Sequence, residues 1–241
     1  MKELFKDCIC IKEVEFLRFN RKNITDISFM FKGCKSLEII SFTHFQSVNV
    51  TKMNNMFYEC SLLEEINLSN FDTQKVVDMS FLFYDCRNLK NLNILNLNTC
   101  NVENMSCMFG GCCLLKEINF TKRFNTNHVE NMSGMFLECV ELKKLDLSQY
   151  NTDNVKDMGW MFYKCIKLKE LNLKNFSTNK VIDVYSMFSG CNNLITLTIS
   201  DNFDIKNAKD AYNMFENCNS ILINKMKTKN KNFKYEAFIS Y

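Results

Sequence analysis

The order of apolar and polar positions repeats along the chain. The run Val155-x-x-Met158-x-x-Met161-Phe162-x-x-Cys165-x-x-Leu168-x-x-Leu171-x-Leu173-x-x-Phe176-x-Thr178 recurs over most of the length. Its Phe-x-x-Cys centre occurs nine times, at Phe5/Cys8, Phe31/Cys34, Phe57/Cys60, Phe83/Cys86, Phe109/Cys112, Phe136/Cys139, Phe162/Cys165, Phe188/Cys191 and Phe215/Cys218. Successive phenylalanines stand 26 residues apart, or 27 in two places, so one period accounts for the length without a second domain.

Two elements are predicted in each period. Apolar residues at i, i+3, i+6, i+7 and i+10 fall within a stripe roughly 120° wide at about 100° per residue, the mark of a short amphipathic helix. Asp26, Asp78, Asn104, Asn131, Asp157, Asp183 and Asp210 precede the second apolar position and would cap the helix. Gly33, Gly111 and Gly190 stand where it would stop. The second half ends in alternation, as in Ile66-Asn67-Leu68, Leu145-Asp146-Leu147 and Leu171-Asn172-Leu173, which predicts a short strand with its aliphatic residues inward.

One helix and one strand cannot bury both apolar faces alone, but stacked coils share one core. The expected fold is therefore an α/β solenoid over residues 1–223, with about nine coils, a helix and a strand in each, and a parallel sheet on one face. At about 4.8 Å per strand it would be roughly 40 Å long. Residues 224–241 lose the pattern and read as a C-terminal cap or the start of a further region.

The Leu-x-x-Leu-x-Leu signature and its period fall in the leucine-rich-repeat range. More closely, Asn101-Val102-Glu103-Asn104-Met105-Ser106-Cys107-Met108-Phe109 and Asn67-Leu68-Ser69-Asn70-Phe71-Asp72-Thr73 resemble the BspA-type leucine-rich-repeat surface proteins, over essentially residues 1–223. The resemblance implies an α/β solenoid on a microbial or protist cell surface, used for adhesion and partner binding, with no catalytic residues to carry over. Met1–Cys8 lacks the apolar run of a signal peptide, and this keeps a cytoplasmic location as the alternative.

Composition changes this picture little. With 46% hydrophobic residues among 241, the chain can bury a large core, and a net charge of +3 favours neither nucleic acid nor anionic lipid. No stretch approaches the roughly 20 apolar residues of a membrane helix. Six glycines form no phosphate-cradling loop, and no cofactor is expected.

Nine of the thirteen cysteines share one repeat position and read as an unbonded core column. Cys10, Cys100, Cys107 and Cys113 are scattered, no Cys-x-x-Cys occurs, and no metal site is expected. So many free thiols favour a reducing compartment, in conflict with the surface resemblance. His44 and His128 occupy unrelated repeat positions and read as surface residues, whereas the methionines before the repeat phenylalanines read as core filling. Phe45, Phe71, Phe124, Tyr150, Phe176 and Phe203, after the strand, form a second buried row. No enzyme constellation emerges. The places to seek a pocket are the one-residue insertions near Arg123-Phe124 and Asn202-Phe203.

The candidate binding surface is the outward row of the strands, Ser41, Asn67, Asn93, Asn119, Asp146, Asn172 and Thr198, with Ser69, Thr121, Ser148 and Lys174 two residues on. In solenoids the sheet face is the usual extended contact surface for a protein or glycan partner. The competing reading is a solvated ladder of asparagines bonded to one another along the sheet.

Overall fold

The computed structural model describes residues 1–17, 23–201, 203–229, 233 and 235–238. Asn202, part of one expected insertion site, lies outside the described residues, as do several positions of the 224–241 segment.

The described chain winds as a stack of parallel turns, seven of which carry a strand: β1 (Glu13–Glu15), β2 (Ile39–Ser41), β3 (Glu65–Asn67), β4 (Asn91–Asn93), β5 (Lys144–Asp146), β6 (Glu170–Leu173) and β7 (Thr196–Ile199). All pairings are parallel and in register, Glu13 with Ile39, Ile66 with Leu92, Leu145 with Leu171. The strands form three short sheets, β1-β2, β3-β4 and β5-β6-β7. Residues 117–119, where an eighth strand would fall, form none. At the C-terminal end a helix, α1 (Ser220–Lys229), takes the place of a strand.

The expected helix in every coil is not there. In its place the chain makes consecutive tight turns, with two left-handed residues four apart in each coil: Phe29 and Gly33, Asn55 and Glu59, Phe81 and Asp85. Backbone bonding alternates. The amides of Phe81, Phe83 and Asp85 reach the next coil, to Ser106, Met108 and Gly110, while those of Tyr84 and Cys86 turn back three residues to Phe81 and Phe83. The turn is thus held by alternating bonds to the next coil and to its own third-preceding residue, without an i to i−4 ladder.

Spacing explains the outcome. The repeat phenylalanines stack face to face from Phe5 to Phe215 with centroids 5.2 to 5.8 Å apart. Strands need about 4.8 Å per coil, whereas packed helices need 8 to 10 Å. A helix in each coil would force the two sides of the stack to rise at different rates; single-chain turns let both rise together. The nine-coil, helix-and-strand expectation is corrected accordingly: the described residues form seven strand-bearing turns, with one α-helix outside the repeat.

The residues expected to cap helices do a related job. The side chains of Asp26, Asp78, Asn104, Asn131, Asp157, Asp183 and Asp210 each accept the amide two residues on, closing an Asx turn. With Lys52 they also form a second column of parallel bridges from Asp26 to Asp210. Between the two columns lies one continuous core of phenylalanine, methionine, leucine and cysteine. The second aromatic row is inside it, with Phe45, Phe71, Phe124, Tyr150, Phe176 and Phe203 all buried.

The cysteine column is built into the backbone. The thiols of Cys60, Cys86 and Cys112 each donate to the carbonyl oxygen of the phenylalanine one coil back, Phe31, Phe57 and Phe83, at 3.2 Å. The same contact runs from Cys34 to Cys218. All thirteen cysteines are free thiols.

Candidate functional site

Alternation along each strand turns the central side chain outward. Asn67, Asn119, Asp146, Thr198 and Lys174 are exposed, and Ser41, Asn93, Asn172, Ser69, Thr121 and Ser148 are half-buried. The predicted row therefore stands on the outward side of the strands, aligned by pairing within each of the three sheets, and the missing strand leaves Asn119 off the ladder.

The row is more committed to its own backbone than expected. The side-chain oxygens of Asn67, Asn93, Asp146 and Asn172 accept the amides of Ser69, Leu95, Ser148 and Lys174 at 2.9 to 3.3 Å. Each strand thus ends in an Asx turn, and the asparagine carbonyls are occupied, leaving their NH2 groups as donors. The Ser148 hydroxyl and amide, with a smaller contribution from Asn172, hold Asp146 below the usual carboxylate range. It is a permanent anion at neutral pH.

Cross-coil ion pairs flank the row: Lys12 with Glu38 at 4.0 Å, Lys90 with Glu64 at 2.8 Å, and Lys144 with Glu170 at 2.7 Å. Over β5 to β7 the face forms a shallow open depression lined by Lys144, Asp146, Glu170, Asn172, Thr196 and Thr198. Such a surface offers many small polar contacts and no convergent nucleophile and base. At the Arg123 insertion the side chain borders a second polar depression with Ser69, Asp72 and Asn98.

Other candidates fall elsewhere. The Nδ1 atom of His128 lies 2.8 Å from the Cys100 carbonyl, and His44 is exposed. Burial pushes the Cys107 thiol up to about 11, away from a reactive thiolate. Among the described residues no cluster of three or more histidine, cysteine or carboxylate side chains could hold a metal ion, and no helix is long and apolar enough to cross a membrane.

One surface was missed in the sequence. On the turn edge, Tyr58 stacks on Tyr84 at 5.0 Å, Phe81 lies 5.5 Å from Tyr84, and Lys32 sits 4.6 Å over the Tyr58 ring. Trp160 meets Tyr185 at 5.1 Å. Tyr58 and Tyr84 share one repeat position, directly after the core phenylalanine, so aligning the coils on that residue would have found the pair.

The family described as "Mycoplasma protein of unknown function, DUF285" matches residues 1–119 and 113–229. The chain belongs to this family. As a DUF285 member it is also similar to solved leucine-rich-repeat proteins. One from T. pallidum is 17% identical, with 80% of this chain and 69% of that chain covered at a TM-score of 0.37. One from Eubacterium ventriosum is 18% identical, with 95% and 45% covered at a TM-score of 0.43. One from Bacteroides ovatus is 18% identical, with 90% and 67% covered at a TM-score of 0.38. The chain thus spans less than half of the Eubacterium ventriosum protein. Comparison with curated proteins gave no match. The Leu-x-x-Leu-x-Leu strands, stacked in parallel at the repeat period, fit a BspA-like leucine-rich-repeat member of the DUF285 family.

Proposed function

We propose that this solenoid is a non-enzymatic binding module that holds a macromolecular partner, protein or glycan, on its strand face. The observation that carries the reading is the row from Ser41 to Thr198. From β2 to β7 it presents one polar side chain per strand, in register within each sheet, over one continuous core. A ladder of this kind suits an extended partner that makes many modest contacts, as solenoid faces do. Following the BspA-type resemblance, the partner would be met at the cell surface in adhesion.

A second reading is an intracellular protein–protein scaffold. It is favoured by the thirteen free thiols, a number at home in a reducing compartment. In either case the described part of the C-terminal segment continues the stack. The Phe215 amide donates to the Ala237 carbonyl at 2.9 Å, and Phe238 stacks on Phe215 at 5.3 Å, so the segment carries the phenylalanine column one step further.

Face-specific photo-crosslinking tests the reading. A photoreactive residue at Asn119 should capture a partner from source cells, and one at Tyr84 on the turn edge should not. The triple variant Asn93→Lys, Asn119→Lys and Asp146→Lys should keep the parent circular dichroism and compete at least tenfold less well for that capture. Capture only from Tyr84, or undiminished competition by the folded triple variant, rejects the strand face.

A further inference from the structure

Charge is unevenly spread along the strand face. Residues 12–17, 38–43 and 64–69, in the first three turns, carry five carboxylates and one lysine. Residues 116–121, 143–148, 169–174 and 195–200 carry five lysines and three carboxylates. The face is acidic at one end and basic at the other. Glu13, Glu15, Glu65, Lys116, Lys143, Lys169 and Lys174 are all exposed, and none forms an ion pair among the described residues.

We propose that the strand face binds a second copy of this chain, face to face and with the coil order reversed, about a two-fold axis running along β4; this rests on the strand face being the contact surface. A two-fold axis lying in the interface along the strand direction reverses the stack but leaves each strand position opposite its own kind. With β4 on the axis, Glu38 faces Lys143 and Glu64 faces Lys116 in both halves of the interface. Glu13 and Glu15 lie over the turn that carries Lys169 and Lys174. Leu95, 47% exposed beside Asn93, meets its own copy at the axis and supplies the apolar centre.

Same-direction stacking would instead set acidic end on acidic end. The charge pattern therefore selects one orientation, as complementary potentials do at interfaces. From β1 to β7 the face spans roughly 34 Å at about 4.8 Å per turn, and with a width of roughly 15 Å it covers about 500 Å² on each copy. Specific interfaces commonly bury about 800 Å² per partner, so the dimer is a weak one held largely by charge. Its stability falls with added salt.

Sedimentation equilibrium of the full chain tests the proposal. At low ionic strength the wild type should pass from monomer to dimer as concentration rises, and high salt should return it to monomer. Two variants separate the ends: E38K/E64K cancels the acidic end and sets lysine opposite Lys143 and Lys116, and K116E/K143E turns the basic end acidic and sets glutamate opposite Glu64 and Glu38. Each alone should keep the parent circular dichroism and lose the dimer. An equimolar mixture of the two should recover it, because every reversed charge then meets its complement.

A wild type that stays monomeric at every concentration and salt overturns self-association, as does a dimer that survives both variants or a mixture that remains monomeric. These outcomes leave the strand face as a surface for other partners intact. That reading stands or falls on the capture at Asn119, which is measured independently.

Discussion

At the scale of single residues, the bridge column carries a cost that the asparagine coils avoid. Asp157 and Asp183 are held above the usual carboxylate range, first by burial and then, against the amide bond each accepts, by the carboxylate of the next coil, Asp183 and Asp210 in turn. A folded-state pKa above the unfolded one means that stability is greatest below the ordinary carboxyl range and is lost as pH rises through the folded value. At neutral pH the Asp183 charge therefore works against folding. Asparagine keeps the acceptor for the Tyr185 amide, 2.8 Å away, and Asn104 and Asn131 already close the same turn in earlier coils. Asp183→Asn should melt a few degrees higher than the parent at neutral pH, and the gain should vanish below about pH 4, where the carboxyl is protonated. Equal or lower melting at neutral pH would show that neither burial nor Asp210 penalises the Asp183 charge.

At the scale of elements, the strand half was legible in most coils and the other half was not. Leu171-Asn172-Leu173 alternates and forms a strand, whereas Ile118-Asn119-Phe120 alternates and forms none. Val155, Met158 and Met161, then Phe162, Cys165, Leu168 and Leu171, are spaced by threes. A spacing of three fits a helix of 3.6 residues per turn loosely and a series of three-residue turns well; the lower-cost reading followed from the neighbouring coil, which a local pattern does not contain. The candidate row was legible because it lies on the alternating half, whereas the aromatic turn edge lies on the half that was misread.

The turns also set how the cysteines behave, since their tight geometry brings each thiol onto a backbone carbonyl. Burial raises the thiols of Cys60, Cys86, Cys112, Cys139 and Cys191 above the ordinary thiol range, and pushes Cys34 up to about 11. Stability is thus full below the unfolded thiol pKa of about 8.5 and is lost as pH rises, by about 1.4 kcal/mol per thiol per pH unit. The melting temperature should fall steeply above that pH. Cys60→Ala/Cys86→Ala should start lower and fall less steeply. Parallel slopes for parent and variant would assign the alkaline loss to other groups.

At the scale of the whole molecule, a solenoid is a sum of neighbour contacts, so its weakest joint is local. The phenylalanine column is unbroken, yet the sheet divides in two places, and both coincide with a change in the inward residue that closes the strand. That residue is Phe16 and Phe42 beside β1 and β2, Leu68 and Ile94 beside β3 and β4, and Leu147, Leu173 and Ile199 beside β5 to β7. Between the last two groups stands Phe120, tilted 4.5 Å from Phe124 and edge-on to Phe109 and Tyr150, where no strand forms. Strands pair where neighbouring coils hold inward side chains of like size, because a phenylalanine pushes its backbone outward relative to a leucine. Phe120→Leu should let residues 117–119 rejoin the ladder between β4 and β5. The lost ring volume costs on the order of 1 kcal/mol, so melting temperature is a poor readout. Amide exchange is a direct one: the amides of Glu117 to Phe120, which make no cross-coil bond among the described residues, should become protected in the variant while those of Phe109 and Phe136 stay protected in both. If those four amides exchange as fast in Phe120→Leu as in the parent, the extra residue before Phe124 breaks the sheet, and the ring only fills the gap it leaves.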